Sequence, residues 1–314
     1  FKKDTKDMLM ERPIPLYVGS GSPLSNVGTL TNQGIELEVG YKLSVDKVNL
    51  SFLANASYVK NEIKNLGNQT GYIDKESLPT LGTVSRNQNG YPIGYFFGYK
   101  AIGVFQTQEE IDNYISPATG KPIQPNAVPG DTKFEDLNGD GVISDDNEDR
   151  TMIGKPNPDW MVGLTVAADW NGFDLSAFFQ GSFGADVFDA LRRYELAAVN
   201  YTSDALERWT GPGTSNSMPR IVLGDTPKNF RPSTLLVHDA SFLRLRNLQV
   251  GYTLPAQLTR KAYIQRLRFY ASFDNLLTIT GYKGMDPEIG STMGIDKGVY
   301  PQARVYTFGL NLTF

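Results

Sequence analysis

The 314-residue sequence contains no cysteine and a single histidine, His238. Disulfide bonds, thiol nucleophiles and Cys/His zinc sites are therefore excluded, and a Ser-His-Asp triad has only that one histidine to use. No run of about 18 apolar residues is present, which excludes a helical membrane protein but not a membrane β-barrel. With 30 basic and 34 acidic residues, the chain also lacks the positive charge typical of nucleic-acid binding, and we expect no nucleic-acid partner.

The first residues lack the features of a secretory signal. The opening segment 1–9 begins with Phe1 rather than methionine, and it has neither a charged n-region nor an apolar h-region. We therefore expect a processed chain or a fragment.

What the sequence does contain is a strict period of two. In the last nine residues every second side chain is apolar or aromatic, and only a β-strand places such residues on one face. The dipeptide Asn171-Gly172 predicts a type I′ hairpin, and a change of phase at Arg246-Asn247 predicts a β-bulge. The same alternation covers residues 34–43, 48–58, 160–170, 173–180, 243–254, 267–274 and 306–314.

These segments predict about ten strands of about 11 residues, a length that crosses a hydrocarbon core at a tilt of about 45°. The polar face carries charged residues such as Glu36 and Arg268, as a water-filled lumen requires. Aromatic residues such as Trp160 and Trp170 lie near the strand ends, where rings favour the membrane interface. The prediction is an all-β transmembrane barrel, with a large soluble antiparallel sheet as the alternative.

Loop lengths give an independent indication. Short connections at 44–47, 87–90, 171–172 and 255–263 alternate with long ones at 11–30, 61–78, 106–159, 184–237 and 277–302. Outer-membrane barrels have short periplasmic turns and long external loops, so the long segments are predicted to be external. The alternation requires a weak strand at 79–87. Short helices are predicted inside the long loops at 108–115 and 186–198.

The sharpest local motif lies at 136–149. Asp136, Asn138 and Asp140 hold positions 1, 3 and 5 of an EF-hand-like loop, Gly141 holds position 6, and the carbonyl of Val142 supplies a further oxygen. Position 12 is asparagine instead of glutamate, so another acidic residue has to close a Ca²⁺ shell. The alternative is an acidic turn that its own hydrogen bonds hold together. The candidates for the closing ligand are Asp146, Glu148 and Asp149.

Other motifs are weaker. Neighbouring acidic pairs such as Glu109-Glu110 are more typical of solvated loops than of a glycosidase dyad, so no catalytic site and no enzyme activity are predicted. Four aromatic residues of the long loops could stack on sugar rings or simply pack in the loops. They are Tyr201, Trp209, Tyr282 and Tyr300.

Several short segments along nearly the whole chain form a recognisable set. They are NQGIE at 32–36, PIGYFFGY at 92–99, DLNGDG at 136–141, DRTMIG at 149–154, PNPDW at 156–160, SFLRLRNLQVGYTLP at 241–255, FDNL at 273–276 and GY at 281–282. In these segments and in their order the chain resembles the SusC/RagA family of TonB-linked outer-membrane transporters. In that family an acidic residue usually precedes the arginine of Asp149-Arg150 at a shorter distance from the Asn-Gly-Asp-Gly core. The apparent insertion leaves the closing metal ligand open.

The resemblance implies that residues 1–314 form the C-terminal portion of a 22-stranded plugged barrel in the outer membrane of a Gram-negative, Bacteroidota-like bacterium. The plug, the TonB box and the first barrel strands would lie outside this sequence. The implied function is energised import of an oligosaccharide or peptide, with TonB-ExbB-ExbD acting through the plug and a SusD-like surface lipoprotein acting as a lid. Outer-membrane lipid would surround the barrel.

Two other functions stay open at this point. A siderophore or vitamin receptor shares the barrel and would import a small metal chelate without a lipoprotein partner. A soluble carbohydrate-active β-protein would be extracted without detergent. The sequence does not identify the substrate.

Overall fold

The computed structural model describes residues 1–11, 23–145, 147–192, 194, 196, 199–289 and 293–314. Within these residues no helix has the length and apolar character needed to cross a membrane. The strands, in chain order, are β1 (Lys2–Glu11), β2 (Leu24–Val45), β3 (Val48–Asn65), β4 (Tyr72–Asp74), β5 (Ser77–Leu78), β6 (Gly82–Thr83), β7 (Ser85–Gln88), β8 (Tyr95–Tyr99), β9 (Ala101–Val104), β10 (Thr132–Phe134), β11 (Arg150–Gly154), β12 (Trp160–Trp170), β13 (Phe173–Phe183), β14 (Asp186–Asp189), β15 (Val237–Asp239), β16 (Phe242–Thr253), β17 (Arg266–Thr280), β18 (Ile295–Asp296) and β19 (Val305–Thr313).

Helices are few and short in the described residues. The α-helices are α1 (Gln108–Asp112) and α2 (Ala256–Thr259), and the 3₁₀ helices are Ser203–Glu207, Leu223–Asp225, Thr234–Leu236 and Arg260–Ala262. The predicted helix at 108–115 is confirmed over its first five residues, where the Thr107 side chain caps the N-terminus by accepting a hydrogen bond from the Glu110 N–H.

Eight long strands form one antiparallel sheet in the order β1-β2-β3-β12-β13-β16-β17-β19. The tight turn between β12 and β13 has φ of 50° at Asn171 and 92° at Gly172, as a type I′ hairpin requires. The β-bulge at Arg246 is confirmed, because Leu245 and Asn247 pair normally with β13 while Arg246 is the extra residue. Both predictions from local sequence therefore hold.

One face of this sheet is apolar and exposed over a band of constant height. In β2 its members include Ile35 and Leu37, which are 73% and 62% exposed. The band runs the length of β12, and its eleven residues span about 24 Å of height at a tilt of about 45°. That height matches the apolar band of about 25 Å on outer-membrane barrels. Within this sequence seven strands cross the band, and β1, which begins at Lys2, pairs with the outer part of β2.

The main sheet has eight strands, where the sequence predicts about ten. The expected strand at 79–87 and the segment after it, up to residue 105, form β6 to β9, which belong to smaller sheets outside the main one. The reason is visible in β8, where Tyr95, Phe96 and Phe97 are all buried. A membrane strand buries neither face this way. Because residues 79–87 and the segment after them both lie outside the main sheet, long and short connections still alternate along that sheet.

The long connections 66–159, 184–241 and 281–304 fold together, and we call this body the outer platform. One hydrophobic core takes Phe96 from the first connection, Phe188 and Leu236 from the second, and Ile295 from the third. The predicted helix at 186–198 is wrong, because residues 186–189 form β14, which pairs with β15 and β18. Residues 193, 195, 197 and 198 of that prediction lie outside the described part of the chain.

Candidate functional site

The acidic loop of the platform closes on itself through hydrogen bonds to its own backbone. The Asp136 carboxylate accepts from the N–H groups of Gly139 and Gly141, at 2.8 and 2.9 Å. The side chain of Asp140 accepts from the Val142 N–H at 2.8 Å. The Asn138 amide donates to Asp140 at 3.1 Å and to Glu148 at 3.0 Å. The loop therefore brings Asp140, Asn138 and Glu148 together.

The three candidates for the closing ligand have different positions. Glu148 is exposed and contacts Asn138. Asp149 is buried, and its carboxylate accepts from the backbone N–H groups of Leu137 and Ser144, at 3.1 and 2.9 Å. Asp146 lies outside the described residues. In the described part of the chain no group of three His, Cys, Asp or Glu residues has the geometry of a metal site.

The C-terminal end of the acidic loop is anchored in the platform by cation–aromatic contacts. Arg150 lies over the Phe97 ring at 4.3 Å, and it donates a hydrogen bond to the Phe97 carbonyl at 2.8 Å. Arg231 lies over Tyr99 at 4.7 Å. Tyr99 in turn donates its O–H to the Ser144 carbonyl at 2.7 Å, and burial raises the pKa of this phenol. These contacts hold the C-terminal end of the loop against β8.

The platform has a solvent-open cleft of about 680 Å³ beside the acidic loop. Its walls are largely apolar, with Ile123, Val142 and Pro227 among them, while Lys121 and Lys228 place positive charge at the cleft. Lys228 forms an ion pair with Asp145. An apolar cleft with a few charged groups can bind a bulky amphipathic ligand.

The aromatic residues that the sequence singled out have different environments. Tyr282 is buried and donates to Asp296 at 2.7 Å, and Trp209 donates its ring N–H to Gln106 at 3.2 Å. Tyr201 is half exposed and stacks on Tyr194, whereas Tyr300 is 87% exposed. Only Tyr300 of the four therefore presents its whole ring to a ligand.

His238 also belongs to the platform rather than to a catalytic triad. Its Nε2 lies 3.8 Å from Asp189, and its ring centroid lies 6.2 Å from that of Tyr282. Burial lowers the pKa of His238, and the positive charge of Arg192 acts in the same direction. The ring is therefore neutral at pH 7.

The polar face of the main sheet carries a charged network. Arg268 on β17 donates two hydrogen bonds to Asp174 on β13, at 2.9 and 2.5 Å. To reach Asp174, the Arg268 side chain crosses over Gly251 of β16, where a Cβ atom would lie 2.5 Å from the guanidinium. Glycine is required there by the close approach. The network confirms that this face carries charge, as a water-filled lumen requires.

A second network ties an external connection to the same face. Arg244 on β16 is 1% exposed and donates to Asp286 at 2.5 Å and to Glu288 at 3.0 Å. Arg246, the bulge residue, donates to both oxygens of Glu288 at 2.6 Å. We call residues 286–288 the inward strap, because they fold back from the third connection onto the lumen-facing side of β16.

The charge state of the strap follows from its contacts. Burial opposes ionisation of Asp286. The N–H groups of Gln302 and Glu288 and the Arg244 guanidinium outweigh that burial, and they hold the pKa of Asp286 below its usual value. The carboxylate is therefore ionised at neutral pH, and the Arg244–Asp286 contact is a buried ion pair.

Sequence reasoning did not assign a role to Arg244 or Arg246. A usable signal was present, because both arginines interrupt an apolar strand on its polar face, where a buried cation needs a partner. The partners lie about 40 residues further on, in a connection without regular structure, and the sequence gives no way to select Asp286 and Glu288 from the other acidic residues.

Comparisons with known proteins agree with this architecture. Residues 1–276 match the family model described as TonB dependent receptor-like, beta-barrel. TonB-dependent receptor P3 of Formosa agariphila is 33% identical over 99% of this chain, and TonB-dependent receptor SusC of Bacteroides thetaiotaomicron is 30% identical over 100% of it. The chain spans 31% and 29% of the lengths of these two relatives.

Solved structures give the same assignment. The structure of the RagAB peptide transporter matches the whole chain with a TM-score of 0.78 at 27% identity, and the chain covers 32% of that protein. The RagAB peptide importer in its open-open state matches with a TM-score of 0.74 at 27% identity over the whole chain, and again 32% of that protein is covered. The seven membrane-crossing strands are thus part of an outer-membrane barrel, and the chain belongs to the TonB-dependent receptor family, with SusC-like transporters among its relatives.

Proposed function

We propose that the full-length protein imports a bulky nutrient, an oligosaccharide or a peptide, across the outer membrane together with a SusD-like surface lipoprotein. The observation that carries this proposal is the outer platform. Three external connections share one core built around Phe96, Phe188 and Ile295. The first two of these connections line a cleft of about 680 Å³. An external body of this kind suits a large ligand and a docked partner better than it suits a small metal chelate.

The sheet supplies the membrane part of this function. Its apolar band contacts lipid, while the face with the Arg268–Asp174 pair lines a polar lumen. In this proposal, TonB-ExbB-ExbD supplies the energy through a plug segment of the full-length protein. This chain spans about a third of the length of its relatives, and the plug belongs to the remainder. The residues of this chain bind and guide the nutrient without changing it chemically.

The substrate class rests on two kinds of support. RagAB, which resembles the whole chain, is described as a peptide transporter. The cleft combines apolar walls with Lys121 and Lys228, a chemistry that fits a peptide as well as a sugar chain. Both classes therefore stay in the proposal.

Affinity purification of the tagged full-length protein from native outer membranes tests this function. We expect a surface lipoprotein in equimolar amount, together with a peptide or oligosaccharide that mass spectrometry identifies, and loss of nutrient uptake when TonB is deleted. An unrelated outer-membrane barrel, tagged in the same cells, is the control. Recovery of a metal chelate without a lipoprotein would instead identify a siderophore or vitamin receptor, and extraction without detergent would contradict membrane insertion.

We further propose that the acidic loop at 136–149 binds Ca²⁺ through Asp136, Asn138, Asp140, the Val142 carbonyl and Glu148. Support comes from the Asn138 amide, which bridges Asp140 and Glu148 as a donor between two carboxylates. A cation would replace this donor and relieve the repulsion of the clustered charges. Ca²⁺ would act structurally by ordering the loop beside the cleft.

Limited proteolysis of the full-length protein tests this metal site. We expect chelator to raise the cleavage rate within 136–149 about tenfold, and Asp140→Ala to reproduce that rate without chelator, since an external loop exposed to millimolar Ca²⁺ needs only weak affinity. Asp112→Ala, in the same connection but at the end of α1, is the matched control. A chelator effect that persists in Asp140→Ala, or no chelator effect at all, would contradict the site.

A further inference from the structure

Three lysines lie on the outer wall of the barrel directly beyond the apolar band. Lys2, Lys60 and Lys64 surround a shallow recess of about 50 Å³, together with Gln33 and Glu62. Lys2 pairs with Gln33 and Gln33 pairs with Lys60, so these three form one row across β1, β2 and β3. The recess is therefore built from neighbouring strands and not from a mobile loop.

The direction of the row follows from the alternation of side chains. Gln33 is two residues from Ile35, and Lys60 is two residues from Tyr58, so each pair shares a face. Ile35, Tyr58 and Trp160 form the next row of the sheet, the outermost row of the apolar band. Lys2 and Lys60 therefore lie on the membrane-facing side of the wall and not on the lumen side, and Lys64 lines the same recess.

The height of the row is fixed by the same register. Two residues along a strand tilted by about 45° correspond to about 5 Å of height. The lysines lie at the outer end of the band, since the outer platform connects the strands there. The ammonium groups of Lys2 and Lys60 therefore reach the level where the headgroups of the outer leaflet begin. Lys64 lies four residues beyond Lys60, about 10 Å higher, and its ammonium group reaches back to Glu62.

The charge of the recess is positive. Lys64 pairs with Glu62 at 2.5 Å and Lys2 with Asp4 at 3.6 Å, while Lys60 forms no ion pair within the described residues. Three cations against two carboxylates leave a net charge of +1. By contrast, the membrane face below the row, from Ile35 to Val45 on β2, carries only apolar side chains and Tyr41.

We propose that Lys2, Lys60 and Lys64 bind the phosphate groups of the phosphorylated glycolipid in the outer leaflet. An ammonium group is a compact cation with three donors, which suits a phosphate, and the long lysine stem can lie along the wall while its head reaches the polar layer. Ile35 and Tyr58, directly below, contact the acyl chains of the same lipid. This site is separate from the import pathway and would fix the height of the barrel in its membrane.

Native mass spectrometry of the full-length protein, purified from its outer membrane in mild detergent, measures the bound glycolipid. A lysine near an anionic surface contributes about a fivefold change in binding, so Lys60→Gln with Lys64→Gln should lower retention about 25-fold. Lys47→Gln removes the same charge in the short turn at the other end of the sheet and should leave retention unchanged. Lys60→Arg should keep the glycolipid.

Two further measurements separate lipid phosphate from other sources. Glycolipid whose phosphates have been removed enzymatically should bind to the wild type at least as weakly as intact glycolipid binds to the double variant, which keeps Lys2. Millimolar inorganic phosphate should not displace the intact lipid. Equal retention by the double variant and Lys47→Gln would overturn the proposal, as would equal binding of the dephosphorylated glycolipid. Displacement by inorganic phosphate would reassign the recess to a soluble anion. Heat-modifiable migration of each variant on a gel verifies that the barrel has folded.

Discussion

Replacing Arg244 by alanine is expected to release the inward strap from the barrel wall. The substitution leaves the buried Asp286 carboxylate without its cation, and removing one partner of a buried pair costs about 3–5 kcal/mol. We expect the lower end of this range, about 3 kcal/mol, because Glu288 keeps its contacts with Arg246. Such a cost raises the population of the detached strap about 100-fold.

Protease cleavage within 281–304 of the full-length protein, in detergent, measures this release. Arg304→Ala, an exposed residue at the end of the same connection, is the matched control and should cleave like the wild type. The double variant Arg244→Ala with Asp286→Ala should recover part of the loss, since neither charge is then left alone. If Arg244→Ala and Arg304→Ala are cleaved equally, the strap is not held by the ion pair.

The same contact has a defined dependence on pH. The pKa of Asp286 lies below its ordinary value of 3.8, so its contribution to stability is complete above that value and is lost as the pH falls through the lower, folded pKa. Between pH 5 and 8 the strap should therefore stay attached. The strap is thus a permanent part of the lumen wall at physiological pH.

The membrane strands could be predicted from the sequence because two solvents act on them. Lipid on one face and water on the other impose a period of two that no local propensity can imitate, and the Asn171-Gly172 turn fixes the register of a hairpin. The strand at 79–87 is predicted from the alternation of loop lengths instead, and there the consecutive residues Val84 and Ser85 are both buried because both faces meet protein. The pattern alone does not separate these two environments.

The platform could not be predicted for a different reason. Its structure depends on contacts between segments that lie far apart in the chain, such as the parallel pairing of β14 with β18. That pairing makes 186–189 a strand, although residues 186–198 have a helical pattern. Tertiary contacts outweigh intrinsic preference at such positions.

The candidate metal ligands of the acidic loop could also be predicted only in part from the sequence. Sequence spacing correctly groups Asp136, Asn138 and Asp140 in one tight turn. It does not distinguish Glu148, which faces the Asn138 amide, from Asp149, which is buried and accepts backbone hydrogen bonds. The two side chains leave the same turn in different directions, and the spacing of residues in the sequence does not determine those directions.

A positive charge at the middle of the lipid-facing side of β19 should prevent assembly of the barrel. Leu310 is the central member of the apolar face that runs from Tyr306 to Phe314, and it pairs with Phe269 on the membrane side of β17. Arginine at the bilayer midplane of a barrel costs about 2–4 kcal/mol. Leu310→Arg should therefore lower the amount of folded, heat-modifiable full-length protein in the outer membrane.

The control for this change has to face the lumen on the same strand. Thr307 pairs with Ser272 and lies diagonal to Asp274, so an arginine there meets water and a carboxylate. Asn311 is a poorer choice because it pairs with Arg268, and two positive charges would face each other. We expect Thr307→Arg to assemble like the wild type. Equal assembly of Leu310→Arg and Thr307→Arg would contradict the assignment of the two faces, because only a lipid environment makes the cost of the charge depend on the side of the strand.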